Sequence, residues 1–317
     1  MNSTNMYNFK FTMLGARRVG KTSLLAAMYD KLTDELSDSV ICITRESKTS
    51  AILSSKLDLL EQQARMASIK VDPTAGIDGS AERSDYRFGL GKNGEEPHIG
   101  LSFTDYPGGW LKASSGQRDE VVKIVSESQV ILVAIDAPAL LENGGKYNDK
   151  INQPKEICEV LKMSVKANVE TLVLFCPVKA ETYLTDRKDE LINAVKKSFH
   201  NSIEYLKSLE KSIVAIVSVQ TMGCVYFNHI KVESNGEPFF YFNKNAREQY
   251  QPKNCEQPLI YLLKFFLNQY IKRDKDWFTS IKGIFFELDT DEKKAIEKLT
   301  AKLKRNDDGI TILHGNI

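Results

Sequence analysis

The stretch Gly15-Ala16-Arg17-Arg18-Val19-Gly20-Lys21-Thr22 constrains this chain more than any other, because it fits G-x-x-x-x-G-K-[ST], a phosphate-binding loop. Its flanks supply the context the motif needs. Residues 7–14 alternate like a buried first strand, and residues 23–29 carry the apolar stripe of a helix. In strand–loop–helix order, the glycines let backbone N–H groups turn inward on a phosphate, and the helix start adds its dipole. Lys21 is expected to reach the β and γ oxygens, and Thr22 offers a hydroxyl to Mg²⁺. Gly15, Ala16, Arg18, Val19, Gly20, Lys21, Thr22 and Ser23 form the expected phosphate cradle.

The second nucleotide signal lies ninety residues on. The segment 86–90 alternates, 92–97 carries an Asn-Gly turn and 99–104 is the next strand, which together predict an antiparallel hairpin. That hairpin ends in Asp105-Tyr106-Pro107-Gly108-Gly109-Trp110. A carboxylate at a strand's C-terminal end can hold Mg²⁺ directly or through water, and the N–H of Gly108 can meet a γ-phosphate. Further along, the apolar runs 130–135, 171–176 and 213–217 read as strands buried on both faces. Helical spacing covers 48–66, 121–128, 154–169, 189–209 and 258–273, and two stretches, 224–232 and 238–242, form a second hairpin. Alternating strands and helices after the phosphate loop predict an α/β fold of three layers around a mostly parallel sheet. Residues 276–317 differ: a strand at 283–288, a charged helix at 291–304 and a short strand at 310–313 suggest a small C-terminal α+β appendage or a partner-facing arm.

Composition excludes several alternatives. With 43 basic and 42 acidic residues the net charge is +1, so neither nucleic acid nor an anionic membrane is an expected partner on electrostatic grounds. The five cysteines are odd in number and widely spaced, which suggests neither a zinc site nor a disulfide framework and points to a reduced, cytoplasmic setting. Residues 1–8 are polar and do not read as a signal peptide. The apolar run 259–267 is far below the ~20 residues of a membrane span and reads as a core helix. His98, His200, His229 and His314 are scattered and read as structural or surface groups. The aromatics at 226, 227 and 239–242 read as hairpin core, or as a protein-binding patch if one face is uncovered.

Together these pieces resemble the Ras-like, translation-factor-related class of P-loop GTPases over residues 7 to 273. Gly15 to Thr22 match the phosphate loop and Asp105 to Gly108 match D-x-x-G. Val178-Lys179-Ala180-Glu181 lies where the base-reading N/T-K-x-D motif should be, and Ser218-Val219-Gln220 where the S-A-K loop should be. More narrowly, residues 15–28 with Asp105 to Leu111 look like the bacterial double-GTPases associated with conflict and antiviral gene clusters. The resemblance implies a GTPase domain over 1–275, with a helix inserted at about 46–68 before switch I and the appendage at 276–317. It implies GTP or GDP and Mg²⁺ as ligands. The expected partners are a protein effector or regulator and, since this chain has one phosphate loop, a second GTPase encoded nearby.

By the same resemblance Lys179 lies along the base and Glu181 accepts from guanine, unless both are a solvated loop. Gly109 stands where a water-orienting Gln is usual, so hydrolysis is expected to be slow; Gln117 either swings in or faces solvent. Arg17 either stabilises γ-phosphate charge, obstructs an incoming arginine from a partner, or faces solvent at the rim. Spacing does not identify the Mg²⁺-ligating hydroxyl of switch I. Thr74 is the choice, Ser80 and Ser84 compete, and a turn-shaping role beside Pro73 is equally open. The leading expectation is a GTP-binding switch with slow Mg²⁺-dependent hydrolysis. The rivals are a non-hydrolysing nucleotide-binding scaffold and an ATPase, which the imperfect base motif permits.

Overall fold

A computed structural model describes residues 7–36, 41–71, 83–92, 99–234, 236–273 and 310–316. The first half contains β1 (Tyr7–Leu14), α1 (Lys21–Leu36), β2 (Ile41–Arg45), α2 (Ser47–Arg65), β3 (Ser68–Val71), β4 (Ser84–Lys92), β5 (Ile99–Asp105) and α3 (Arg118–Ser126). Then come β6 (Val130–Asp136), α4 (Ala137–Leu141), α5 (Asn148–Ile151), α6 (Pro154–Ser164), β7 (Thr171–Val178), α7 (Lys188–Ser198) and α8 (His200–Lys207). The chain closes with β8 (Ser212–Val217), β9 (Val225–Val232), β10 (Pro238–Lys244), α9 (Gln257–Arg273) and β11 (Ile310–His314).

The main sheet has eight strands in the order β11-β8-β7-β6-β1-β5-β4-β2. From β8 to β5 every neighbour is parallel, and the pairings at both ends are antiparallel. The continuous apolar runs explain this centre. Every residue of β6 and β7 is buried, as strands covered by helices on both faces must be. Side-chain alternation then divides the core: Ile131 and Val133 join one apolar cluster, Val130 and Leu132 the other. The α/β fold of three layers with a mostly parallel sheet is therefore the observed architecture.

Three elements depart from the periodicity. The predicted helix at 154–169 stops at Ser164, where Val165 turns to extended backbone. The long helix over 189–209 is two helices that break at Phe199, whose ring packs on Phe175 with centroids 5.5 Å apart. The segment after α2 contains β3, a strand too short to show a period. β3 pairs antiparallel with β10, which pairs with β9, making a separate three-stranded sheet. Phe240 and Phe242 of that sheet are buried, while Tyr241 stacks on His229 at 4.6 Å and Lys70 lies over Phe239 at 3.9 Å.

Ile310–His314, read above as part of an appendage, instead pairs antiparallel with β8 at the edge of the main sheet. The free N–H and C=O row of β8 explains the change, because an open edge is satisfied by whichever segment reaches it. The expected strand at 283–288 and helix at 291–304 lie outside the described residues. Among the described residues, no helix is long and apolar enough to cross a membrane.

The topology has one consequence for chemistry. The phosphate loop follows β1, Asp105 ends β5, Asp136 ends β6, Val178 ends β7 and Ser218 follows β8. All lie at the carboxyl ends of parallel strands, where open α/β sheets bind ligands.

Candidate functional site

The phosphate loop owes its shape to two backbone positions. Gly20 has φ 110°, a conformation that L side chains rarely adopt, and Arg18 has φ 71° despite its side chain. Within the loop Val19 is buried, Arg18 is half-buried and Arg17 is exposed. Lys21 is buried, and its Nζ donates to the carbonyls of Gly15 at 3.0 Å and Ala16 at 3.4 Å. Burial pushes its pKa below the ordinary lysine value, against the opposing pull of Asp105. The Tyr106 ring lies 5.5 Å from the same ammonium. Ser23 is half-buried in the first turn of α1.

Asp105 and Thr22, eighty-three residues apart, meet directly: the Thr22 hydroxyl donates to Asp105 Oδ2 at 2.9 Å. Asp105 is 3% exposed, and its Oδ1 is buried with no hydrogen-bond partner among the described residues. A buried carboxylate oxygen without a donor suits a cation, since an unsatisfied anionic acceptor is otherwise costly. A hard divalent ion with oxygen ligands fits this donor pair. Thr74 and Ser80 lie outside the described residues, and Ser84 begins β4.

Gly108 follows Asp105 and presses on the loop. A Cβ there would meet Arg17 N at 2.2 Å and the Ala16 carbonyl carbon at 2.3 Å. Gly109 beside it has no atom of the described residues within 4 Å of the equivalent position. Gln117 precedes α3, is exposed, and accepts from the Ser115 hydroxyl at 3.2 Å. The structure therefore brings together the phosphate loop, Asp105 and Gly108, and leaves Gln117 at the surface.

At the far end of the site, Lys179 has φ 56° and directs its Nζ to Asp136 Oδ2 and, at 3.5 Å, to the Arg18 carbonyl. Its stem thus spans from the β7 end to the phosphate loop. Asp136 is fully buried, and its Oδ1 caps α4 by accepting from Ala139 N–H at 2.8 Å. Asn152 holds the backbone of Asp136, accepting from its N–H at 2.7 Å and donating to its carbonyl at 3.1 Å. Sequence reasoning missed Asp136. The available signal was an acidic residue closing the apolar run 130–135, immediately before Ala137 and Pro138. Asp136→Ala leaves Lys179 without its counter-ion, with the Arg18 carbonyl as its remaining acceptor, and the α4 amide without its cap. The expected loss is about 3–5 kcal/mol of stability, measured by chemical denaturation.

Glu181 does not project from the β7 end. It is 3% exposed, and its Oε1 accepts from Met222 N–H at 2.9 Å and Gly223 N–H at 3.2 Å. Burial raises its pKa, with those two amides and its own backbone N–H opposing. Ser218 and Val219 are buried and Gln220 is half-buried. Neither of the alternatives drawn for Glu181 from the sequence, base reader or solvated side chain, anticipated this fastening role.

The family model described as Double-GTPase 2 matches residues 11–220. Among solved structures, the S. cerevisiae Ski7 GTPase-like domain, bound to GDP and inorganic phosphate, is similar with a TM-score of 0.45 and 14% identity, covering 86% of this chain and 52% of that one. LeoA, a bacterial dynamin GTPase from ETEC, is similar with a TM-score of 0.35 and 17% identity, covering 93% of this chain and 38% of that one. The chain thus spans about half or less of the length of those proteins. No curated protein sequence matches it.

Proposed function

The chain belongs to the Double-GTPase 2 family of P-loop GTPases, and from that premise we propose that it is a GTP-binding switch with slow, Mg²⁺-dependent hydrolysis. The observation that carries this reading is the Thr22–Asp105 hydrogen bond beside the partnerless Asp105 Oδ1. In this reading Asp105 and Thr22 hold Mg²⁺, with Thr74 as the third ligand. The bound ion supplies charge neutralisation at the β- and γ-phosphates.

The chain's own residues do the rest. Backbone N–H groups from Gly15 to Thr22 cradle the phosphates, and Ser23 adds the first turn of α1. Lys21 exchanges its loop carbonyls for phosphate oxygens, and Arg17, exposed at the rim, faces the γ-phosphate side. Gly108, packed on Ala16 and Arg17, senses whether that phosphate is present, so residues 105–117 order with the triphosphate and relax after hydrolysis. Lys179 flanks the base from the β7 end, its tip held beside the phosphate loop. With Gly109 lacking a side chain and Gln117 at the surface, neither position orients the attacking water, and turnover well below one per second is the consequence.

That same pair of observations favours a second reading, a non-hydrolysing scaffold in which nucleotide stabilises a partner-binding shape. Single-turnover hydrolysis, with and without neighbouring gene products, separates the two. A cytoplasmic setting, a place in a bacterial conflict or antiviral system and a second GTPase as partner belong to the proposal and rest on family resemblance.

Isothermal titration of the full chain with GTP, with and without Mg²⁺, tests the main reading. The expected result is binding that Mg²⁺ strengthens at least tenfold, an effect of about 1.4 kcal/mol. Asp105→Asn is expected to erase the Mg²⁺ dependence while leaving the nucleotide-free fold intact, since Asn keeps the shape of the side chain and Oδ1 has no partner among the described residues. Absence of GTP binding, or equal binding with and without the ion, overturns the reading.

A further inference from the structure

A protein that reads guanine by its edge needs an acceptor for two N–H groups and a donor for O6, free to face the base. Sequence position assigns those tasks to Glu181 and to the amides around Val219. The structure engages one carboxylate oxygen of Glu181 and the amides of Val219 and Gln220 within the protein. Glu181 Oε1 is bound by Met222 N–H and Gly223 N–H. Val219 N–H donates to the Pro177 carbonyl at 2.9 Å. Gln220 N–H donates to the Lys253 carbonyl at 2.9 Å, and Lys253 N–H returns to the Gln220 carbonyl at 3.0 Å.

The loop carrying these groups is also held in place. Gln251 N–H donates to the Met222 carbonyl at 2.9 Å, and a Cβ at Gly223 would lie 1.7 Å from Gln251 O. Turning Glu181 outward would strand two loop amides, a cost that buried backbone donors rarely bear. Val178, at the end of β7, adds an apolar side chain with no hydrogen-bonding group. What runs beside the phosphate loop is the Lys179 stem, pinned at its tip by Asp136 and the Arg18 carbonyl. A hydrocarbon stem touches the face of a base, and every purine presents a similar face.

We propose that this site selects its nucleotide by the Mg²⁺-bound triphosphate and grips the base by its face, so that it accepts ATP as well as GTP with little discrimination. The inference rests on the nucleotide-switch reading above and relaxes only its base requirement. Hydrogen-bond readout of an edge rejects the wrong partner by about 10⁴-fold or more, because the site's own polar groups are then left unpaired. Groups already paired within the protein impose no such penalty.

The test is titration of the full chain with GTP, ATP and xanthosine triphosphate in Mg²⁺, followed by the same titrations on Glu181→Gln. The expected result is that GTP and ATP bind within about tenfold of one another. Glu181→Gln is expected to lower the melting temperature through the 222–223 loop without moving the GTP-to-ATP ratio. A wild-type preference for GTP above about tenfold overturns the inference and leaves the switch reading standing. A swing of Glu181→Gln towards xanthosine triphosphate does the same, because that change reports a carboxylate reading the base edge. Failure of all three nucleotides to bind overturns the switch reading itself and this inference with it. The wild-type comparison decides the question even if the variant does not fold.

Discussion

Replacing Lys21 with alanine is expected to weaken Mg²⁺–triphosphate binding by about 100-fold or more, because two charge-assisted hydrogen bonds to phosphate contribute about 1.5 kcal/mol each. The fold is expected to survive. In the nucleotide-free chain the Lys21 ammonium is buried with two loop carbonyls as its acceptors, and burial already lowers its pKa. Removing a desolvated cation offsets the loss of those two bonds, so stability should change by less than about 1 kcal/mol, or about 2–4 °C in melting temperature. A fluorescent-nucleotide titration and a thermal melt on the same preparation give both numbers. Unchanged affinity would remove Lys21 from the binding site, and a collapsed melt would make it a structural residue.

Gly108→Ala should have the second largest effect, and its neighbour supplies the control. The added methyl would lie 2.2 Å from Arg17 N and 2.5 Å from Arg17 Cα. Both atoms belong to backbone, so the 105–111 segment must move off the phosphate loop. Forced overpacking of this kind costs about 1–3 kcal/mol. It also displaces Asp105, only three residues away and hydrogen-bonded to Thr22. Loss of both stability and at least tenfold in nucleotide affinity is the expected pair of outcomes, about 1.4 kcal/mol for the second. Gly109→Ala meets no atom of the described residues within 4 Å of its methyl and should stay within about 0.5 kcal/mol of wild type. Equal behaviour of the two variants in melts and titrations would refute the close approach of Gly108.

Much of the architecture was legible because it is written in contiguous patterns. The phosphate loop is eight successive residues whose glycine spacing sets the backbone, and the doubly buried strands are unbroken apolar runs. Asp105 was legible for the same reason, as an acid at the end of an alternating strand three residues before a glycine. Where the pattern was short or shared, the sequence was silent. β3 has four residues and pairs with β10, whose partner positions are about 170 residues away. The break at Phe199 leaves helical periodicity almost intact on either side, so spacing alone reads one helix where there are two.

By itself, the sequence determined that a phosphate-binding loop opens an α/β domain and that a metal-competent acid stands at the end of a later strand. Local backbone conformation and side-chain period carry that information, and neither requires knowing what lies across the fold. Tertiary structure decided which polar groups remain available to a ligand. It turned Glu181 onto the 222–223 amides, set Asp136 under Lys179, left Gln117 with Ser115 and laid the last strand against β8. The reason is the requirement that buried donors and acceptors be paired. Which partner each one finds depends on what the closed chain leaves unsatisfied nearby, and that is known only once the distant segments have met.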